Sequence, residues 1–199
     1  MGGSPLGPGG TSDSVTIARS LEHPERFATI FDRHYNVVHR YLARRVPRAY
    51  ADDLASMTFV VAFERRRCFR TNTNSARPWL LGIATNLLRE RLRLDRREQG
   101  TLLLLGARHQ LVGHGADGDV DGTPDTDRLA GALATLDPAQ RDVLLLHAWE
   151  ELSYAEIAEA LEAPVGTVRS RLARARAHLR SQLEEPRSVS RPDPCKEQG

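Results

Sequence analysis

The side chains best placed for chemistry in this chain hydrogen-bond and carry positive charge; none is arranged to make or break bonds. Five Arg and no acid fall between Arg169 and Arg180. Thr167, Ser170, Arg171, Arg174 and His178 recur at three- and four-residue steps, which places them along one side of a helix. Val165, Val168, Leu172, Ala175 and Leu179 form an apolar stripe on the other side, with Arg169, Arg176 and Arg180 flanking it. A guanidinium can pair bidentately with guanine O6 and N7, contributing about 1–3 kcal/mol of discrimination per good pair. Further Arg neutralise phosphates without reading sequence. Short polar groups and Arg over an apolar seam are therefore what a major-groove reader needs. The plainer alternative is a solvated Arg-rich face on an ordinary helix.

The elements before this helix decide between the two. Ser153 is a good N-cap, and Glu156 three places on completes a capping box. The spacing predicts a short helix to Leu161, with Ile157, Ala158 and Leu161 inward. A tight turn at Glu162-Ala163-Pro164 follows, and then a long helix from Pro164 to about Glu184. A capped short helix, a tight turn and a long basic helix have the layout of a helix-turn-helix. Upstream, a helix is expected over Asp127–Thr135. Asp137-Pro138 caps and opens another that runs to about Trp149.

The first half reads as a separate helical unit. Phe27, Ile30, Phe31, Val38 and Leu42 predict a helix over about Pro24–Val46, and Leu54, Thr58, Phe59, Ala62 and Phe63 another over Tyr50–Phe69. The polar stretch Arg70–Arg77 is a loop. A helix over Pro78–Glu98 follows, with Leu80, Ile83, Ala84, Leu87 and Leu88 on its apolar side and Asn86, Arg89, Arg93, Arg96 and Arg97 on the other. Residues 99–126 carry repeated Gly and most of the five Asp between Asp117 and Asp127, and read as an acidic linker. Residues 1–14 and 185–199 are expected to be disordered. The expected organisation is thus all-α: a helical domain over 15–98, the linker over 99–126 and a helix-turn-helix domain over 127–184. The Leu102–Leu105 run inside the linker has no assigned role.

Composition narrows the function classes further. The 199 residues have a formal net charge of +2, and Lys196 is the only Lys. Cys68 and Cys195 cannot build a disulfide framework or a Cys-rich zinc site, and Cys68 is expected to pack as a small apolar residue. No nucleotide-binding glycine loop is present, His109 and His114 lack partners at metal spacing, and Asp117, Asp119 and Asp121 lack the Glu that a calcium loop needs. No cofactor, metal or enzymatic activity is expected. No apolar run approaches a membrane span and the first residues do not form a signal peptide, so the cytoplasm is the expected compartment.

Two sequence blocks carry a family resemblance. Leu152-Ser153-Tyr154-Ala155-Glu156-Ile157-Ala158-Glu159-Ala160-Leu161 and Pro164-Val165-Gly166-Thr167-Val168-Arg169-Ser170-Arg171-Leu172 resemble the promoter-binding end of extracytoplasmic-function (ECF) sigma factors. Asp52-Asp53-Leu54, Thr58-Phe59, Ala62-Phe63 and Trp79-Leu80-Leu81-Gly82-Ile83-Ala84-Thr85-Asn86 resemble that family's first conserved domain. The resemblance implies that Thr167, Arg169, Ser170, Arg171 and Arg174 contact the −35 promoter element. It implies that Asn72, Thr73, Asn74 and Ser75 capture a base flipped from the melted −10 element, while Asn86, Arg89 and Arg93 face the nontemplate strand. Amide and hydroxyl groups suit that task, because hydrogen bonds to the base edge offset the few kcal/mol of unstacking. Asp52 and Asp53 would lie at or near the contact with core RNA polymerase, and an anti-sigma protein is a further expected partner.

Three positions depart from the family's pattern. Glu162 stands where Gly is usual in the turn, Ser56-Met57 replaces a usual Gln-Glu pair, and Thr85 replaces a frequent Arg. A response regulator or repressor with the same motif remains an alternative; it would bind a symmetric operator by itself. A protein-binding adaptor would show no salt-dependent DNA affinity.

Overall fold

The computed structural model describes residues 11–70, 74–98 and 124–184, and no strand occurs among them. The described residues form eight α-helices: α1 Asp13–Ser20, α2 Ala28–Ala43, α3 Arg48–Glu64, α4 Arg77–Glu98, α5 Pro124–Thr135, α6 Pro138–Ala148, α7 Tyr154–Ala160 and α8 Val165–Glu184. Short 3₁₀ turns at Pro24–Phe27 and Arg66–Cys68 join them. Asn72, Thr73 and the Leu102–Leu105 run lie outside the described residues.

Local sequence sets the helix ends. Ser12 caps α1 by accepting from the Val15 N–H. The helix therefore starts at Asp13, inside the stretch expected to lack structure. Pro47, extended at φ −51° and ψ 147°, opens α3. That helix stops at Glu64, short of the expected Phe69, and the chain tightens into the 3₁₀ turn. Asp137 accepts from the Ala139 and Gln140 N–H groups at 2.9 and 3.3 Å and starts α6. The capping box is complete: Ser153 Oγ accepts from the Glu156 N–H, and Glu156 Oε2 accepts from the Ser153 N–H at 2.8 Å.

In the first half, α2, α3 and α4 enclose Ile30, Val38, Leu42, Ala55, Ala62, Leu80, Ala84 and Leu88. In the second half, α5–α8 enclose Leu133, Val143, Leu146, Ile157, Val168 and Leu172. Full burial of side chains of this size contributes roughly 1.5–3 kcal/mol each. The two halves touch chiefly where α4 crosses α7. At that crossing a Cβ on Gly82 would lie 2.1 Å from the Ala160 carbonyl oxygen, so only glycine permits the approach. Among the described residues no helix is long and apolar enough to cross a membrane.

Candidate nucleic-acid interface

Helix α8 is held by the apolar row read from its sequence. Val168, Leu172 and Ala175 are fully buried and Leu179 partly so. Val165, counted in that row, is instead 42% exposed: it is the first residue of the helix and lines an open cleft. On the outer side Arg169, Ser170 and Arg174 are exposed, and Thr167 and Arg171 are half-buried. Ser170 Oγ donates to the Thr167 carbonyl at 3.0 Å. His178 turns back to Thr135 at 2.9 Å and belongs to the domain's own surface. Among the described residues no carboxylate lies within ion-pair distance of Arg169, Arg171, Arg174, Arg176 or Arg180. Five uncompensated guanidinium groups on the outer side and flank of one helix make a surface that attracts anions.

The turn into α8 contains the position at which the resembling family usually has Gly. Glu162 has φ 50°, in the left-handed region that favours glycine. Glu151, at φ 53°, is a second such position, and no sequence signal marked it.

In the first half Asn74 and Ser75 are exposed at the described end of the loop. Arg77 donates to Glu150 at 2.7 Å, across to the second half. Trp79 packs tilted against Phe69 with ring centroids 5.0 Å apart. Asn86 is exposed. Arg93 is exposed and pairs with Glu90 on its own helix at 2.6 Å. Arg89 is directed elsewhere: its Nε donates to Asp142 Oδ2 on α6 at 2.5 Å.

Asp142 is the centre of a buried network that sequence reasoning missed. Its other oxygen pairs with Arg45, whose side chain is also buried. Arg45 donates to the Tyr41 hydroxyl at 2.5 Å, and Tyr41 bonds to the Thr85 hydroxyl at 2.8 Å. Thr85, which replaces the family's frequent Arg, is thus a core residue whose hydroxyl also donates to the Leu81 carbonyl at 2.7 Å. Burial pushes the Tyr41 hydroxyl up. Burial works against the Arg45 charge, but the Tyr41 oxygen and Asp142 carboxylate outweigh it and raise its pKa. A signal existed: Asp142 stands three and four places before the buried Leu145 and Leu146, so helical spacing puts a carboxylate on the inward face. Arg45 stands four places after the buried Tyr41.

Asp52 and Asp53 are exposed on α3, and Asp52 is bonded to His39 at 2.7 Å. Met57 and Val60, 50% and 51% exposed, continue from Asp53 on the same face, with Phe31 of α2 also exposed. Between α3–α4 and the turn before α8 lies a cleft of about 1100 Å³, lined among others by Arg70, Trp79, Asn86 and Val165. Cys68, expected to pack as an apolar residue, is exposed on its rim because the 3₁₀ turn directs it outward.

Comparison with known proteins matches two parts of the chain to one family. Residues 30–98 match the family described as Sigma-70 region 2, and residues 126–179 match Sigma-70, region 4. The ECF RNA polymerase sigma factor SigC of Mycobacterium tuberculosis is 38% identical over 149 residues, covering 74% of this chain and 77% of that protein. The ECF RNA polymerase sigma factor SigW of Bacillus subtilis is 31% identical over 171 residues, covering 81% and 90%. Among solved structures, CnrH in complex with the cytosolic domain of CnrY is 25% identical, with a TM-score of 0.59, and covers 86% of this chain and 97% of that one. RpoE of Bartonella quintana, solved with the anti-sigma factor NepR, shares the fold at 22% identity and a TM-score of 0.59, covering 81% and 98%.

Proposed function

The chain belongs to the sigma-70 family as an ECF sigma factor, and from that premise we propose that it binds core RNA polymerase, reads the −35 and −10 promoter elements with its two halves and promotes strand opening. Its family consists of DNA-binding transcription-initiation factors rather than enzymes. The observation that carries the proposal is α8: its aliphatic row is buried while Arg171 and Arg174 on its outer side, and Arg169, Arg176 and Arg180 on its flank, have no carboxylate partner among the described residues.

In this proposal Thr167, Ser170 and Arg171 read base edges in the −35 major groove, and Arg169 and Arg174 add phosphate or guanine contacts. The loop containing Asn72, Thr73, Asn74 and Ser75 holds a base flipped from the −10 element, with Asn86 and Arg93 along the nontemplate strand. The exposed α3 face at Asp52, Asp53, Met57 and Val60 docks on polymerase. An anti-sigma protein is an expected partner.

Arg89 joins the nontemplate contacts only after it leaves Asp142. The two promoter elements lie roughly 80 Å apart at about 3.4 Å per base pair, so the halves must part to reach both. The 25 residues from 99 to 123 can span about 80 Å at up to ~3.3 Å each. The closed contact is easily exchanged, because Arg77 Nε, Arg89 Nη2 and Glu150 Oε1 are buried in it without partners. Each such group costs about 1–3 kcal/mol.

Run-off transcription with core polymerase on genomic fragments, followed by mapping of start sites, tests the proposal. Specific starts with a shared two-part upstream sequence are expected. Binding of a symmetric site without polymerase would favour a repressor instead.

A further inference from the structure

We propose that α1 is a brace for the −10 recognition loop and that Asp13 is its positioning residue. The inference rests on the sigma-factor reading above and adds a part that none of the expected contacts includes. Asp13 lies in the first turn of α1, is 6% exposed and makes contacts in two directions. Toward the loop, its Oδ2 accepts from the Ala76 N–H at 2.8 Å and its own N–H donates to the Asn74 carbonyl at 3.3 Å. Toward α2, its Oδ1 accepts from Arg33 at 3.0 Å and its Oδ2 meets His34 Nε2 at 2.7 Å. Arg33 also donates to the Thr11 carbonyl at 2.7 Å, which fixes the chain entering α1.

The other end of α1 holds the other stem of the loop. The Ser20 carbonyl accepts from Arg66 Nε at 3.3 Å, and Arg66 lies over the Phe63 ring at 3.9 Å. Arg66 begins the 3₁₀ turn that leads into the loop, and Ala76 ends the loop at the start of α4. One short helix is thereby bonded to both stems of the segment that would receive a flipped base. The Ala76 N–H is held by a buried carboxylate, where such bonds are short and strong, and the Asn74 carbonyl by the backbone N–H of the same residue. A base pocket gains from having its hydrogen-bonding groups fixed before the base arrives, because ordering them on binding subtracts from affinity.

The test uses the full chain with core RNA polymerase and a promoter fragment found by run-off mapping, with 2-aminopurine in its −10 element. Asp13→Ala should slow opening about tenfold, the scale of one lost hydrogen bond to a charged group, with core affinity and −35 protection unchanged. Hydrogen exchange at Asn74–Ala76 should speed up in the same variant. Arg33→Gln, a change on the surface of α2 that leaves the fold intact, should act in the same direction about threefold. If both variants open promoters at the wild-type rate, the brace has no positioning role. Core affinity falling in parallel with opening would reduce Asp13 to a folding residue and overturn the inference. Failure of the wild-type protein to start transcription at any promoter would instead remove the sigma-factor reading itself.

Discussion

Arg45 and Asp142 stand 97 residues apart and form an ion pair in which both side chains are buried, one from each half of the molecule. Arg89 binds the second oxygen of the same carboxylate. Two cations from the first half thus converge on one anion of the second, and the residue expected to follow the nontemplate strand is held by a protein carboxylate. Replacing one partner of a buried pair strands the other, at a cost of about 3–5 kcal/mol if nothing moves. The halves touch chiefly where α4 crosses α7, and parting them there lets the stranded charge reach water.

Asp142→Asn and Gly82→Ala should both open the molecule, by different routes. The first removes the charge that holds Arg45 and Arg89. The second favours helix α4 by about 1 kcal/mol in propensity but places a Cβ 2.1 Å from the Ala160 carbonyl oxygen. Small-angle scattering of the free protein should show a larger radius of gyration for each, with helix content retained by circular dichroism. An unchanged radius in Gly82→Ala would mean that α4 and α7 do not meet as described.

Arg171→Ala should relax discrimination at one −35 position by about 1–3 kcal/mol, or five- to over a hundredfold. Arg176→Ala, on the flank of the buried row, should weaken binding equally for all sequences and lower the salt slope by about one. Competition transcription between matched and mismatched promoters at several salt concentrations separates the two. Equal promoter choice in wild type and Arg171→Ala would misplace the groove face.

Glu162→Gly should stabilise the protein. The residue is exposed and sits at φ 50°, where a side chain costs about 1 kcal/mol relative to glycine. A higher midpoint in thermal or urea unfolding is expected; a lower one would show that the Glu162 side chain contributes a contact worth more than the strain.

Asp13 gives the acid limb of stability a defined contribution. Burial alone would raise its carboxyl, but hydrogen bonds from His34 and the Ala76 N–H, with the Arg33 contact, hold it at about 2 against an ordinary 3.8. A lowered folded pKa means the stabilisation is complete above about pH 4 and fades as pH falls toward ~2. At about 1.4 kcal/mol per pH unit it amounts to roughly 2 kcal/mol. The stability gap between wild type and Asp13→Asn should therefore narrow between about pH 4 and 2. A gap that stays constant over that range would show that the carboxylate charge contributes nothing.

Apart from α1, which the apolar spacing did not mark, the sequence by itself determined the helices within each half and the buried side of α8. Caps such as Ser153 and Asp137, and apolar side chains returning every three or four residues, act through neighbours within a turn or two, so they are readable along the chain. The strained turn at Glu162 was marked only by the family resemblance, in which Gly is usual at that position. Tertiary structure alone decided that Arg45, Arg89 and Asp142 share one buried site, that Thr85 points into the core, and that α1 ties down the loop through Asp13. Each of these depends on which surfaces of separate helices meet. A charged side chain has the same spacing whether water or a buried partner compensates it, and only the packed arrangement selects between the two.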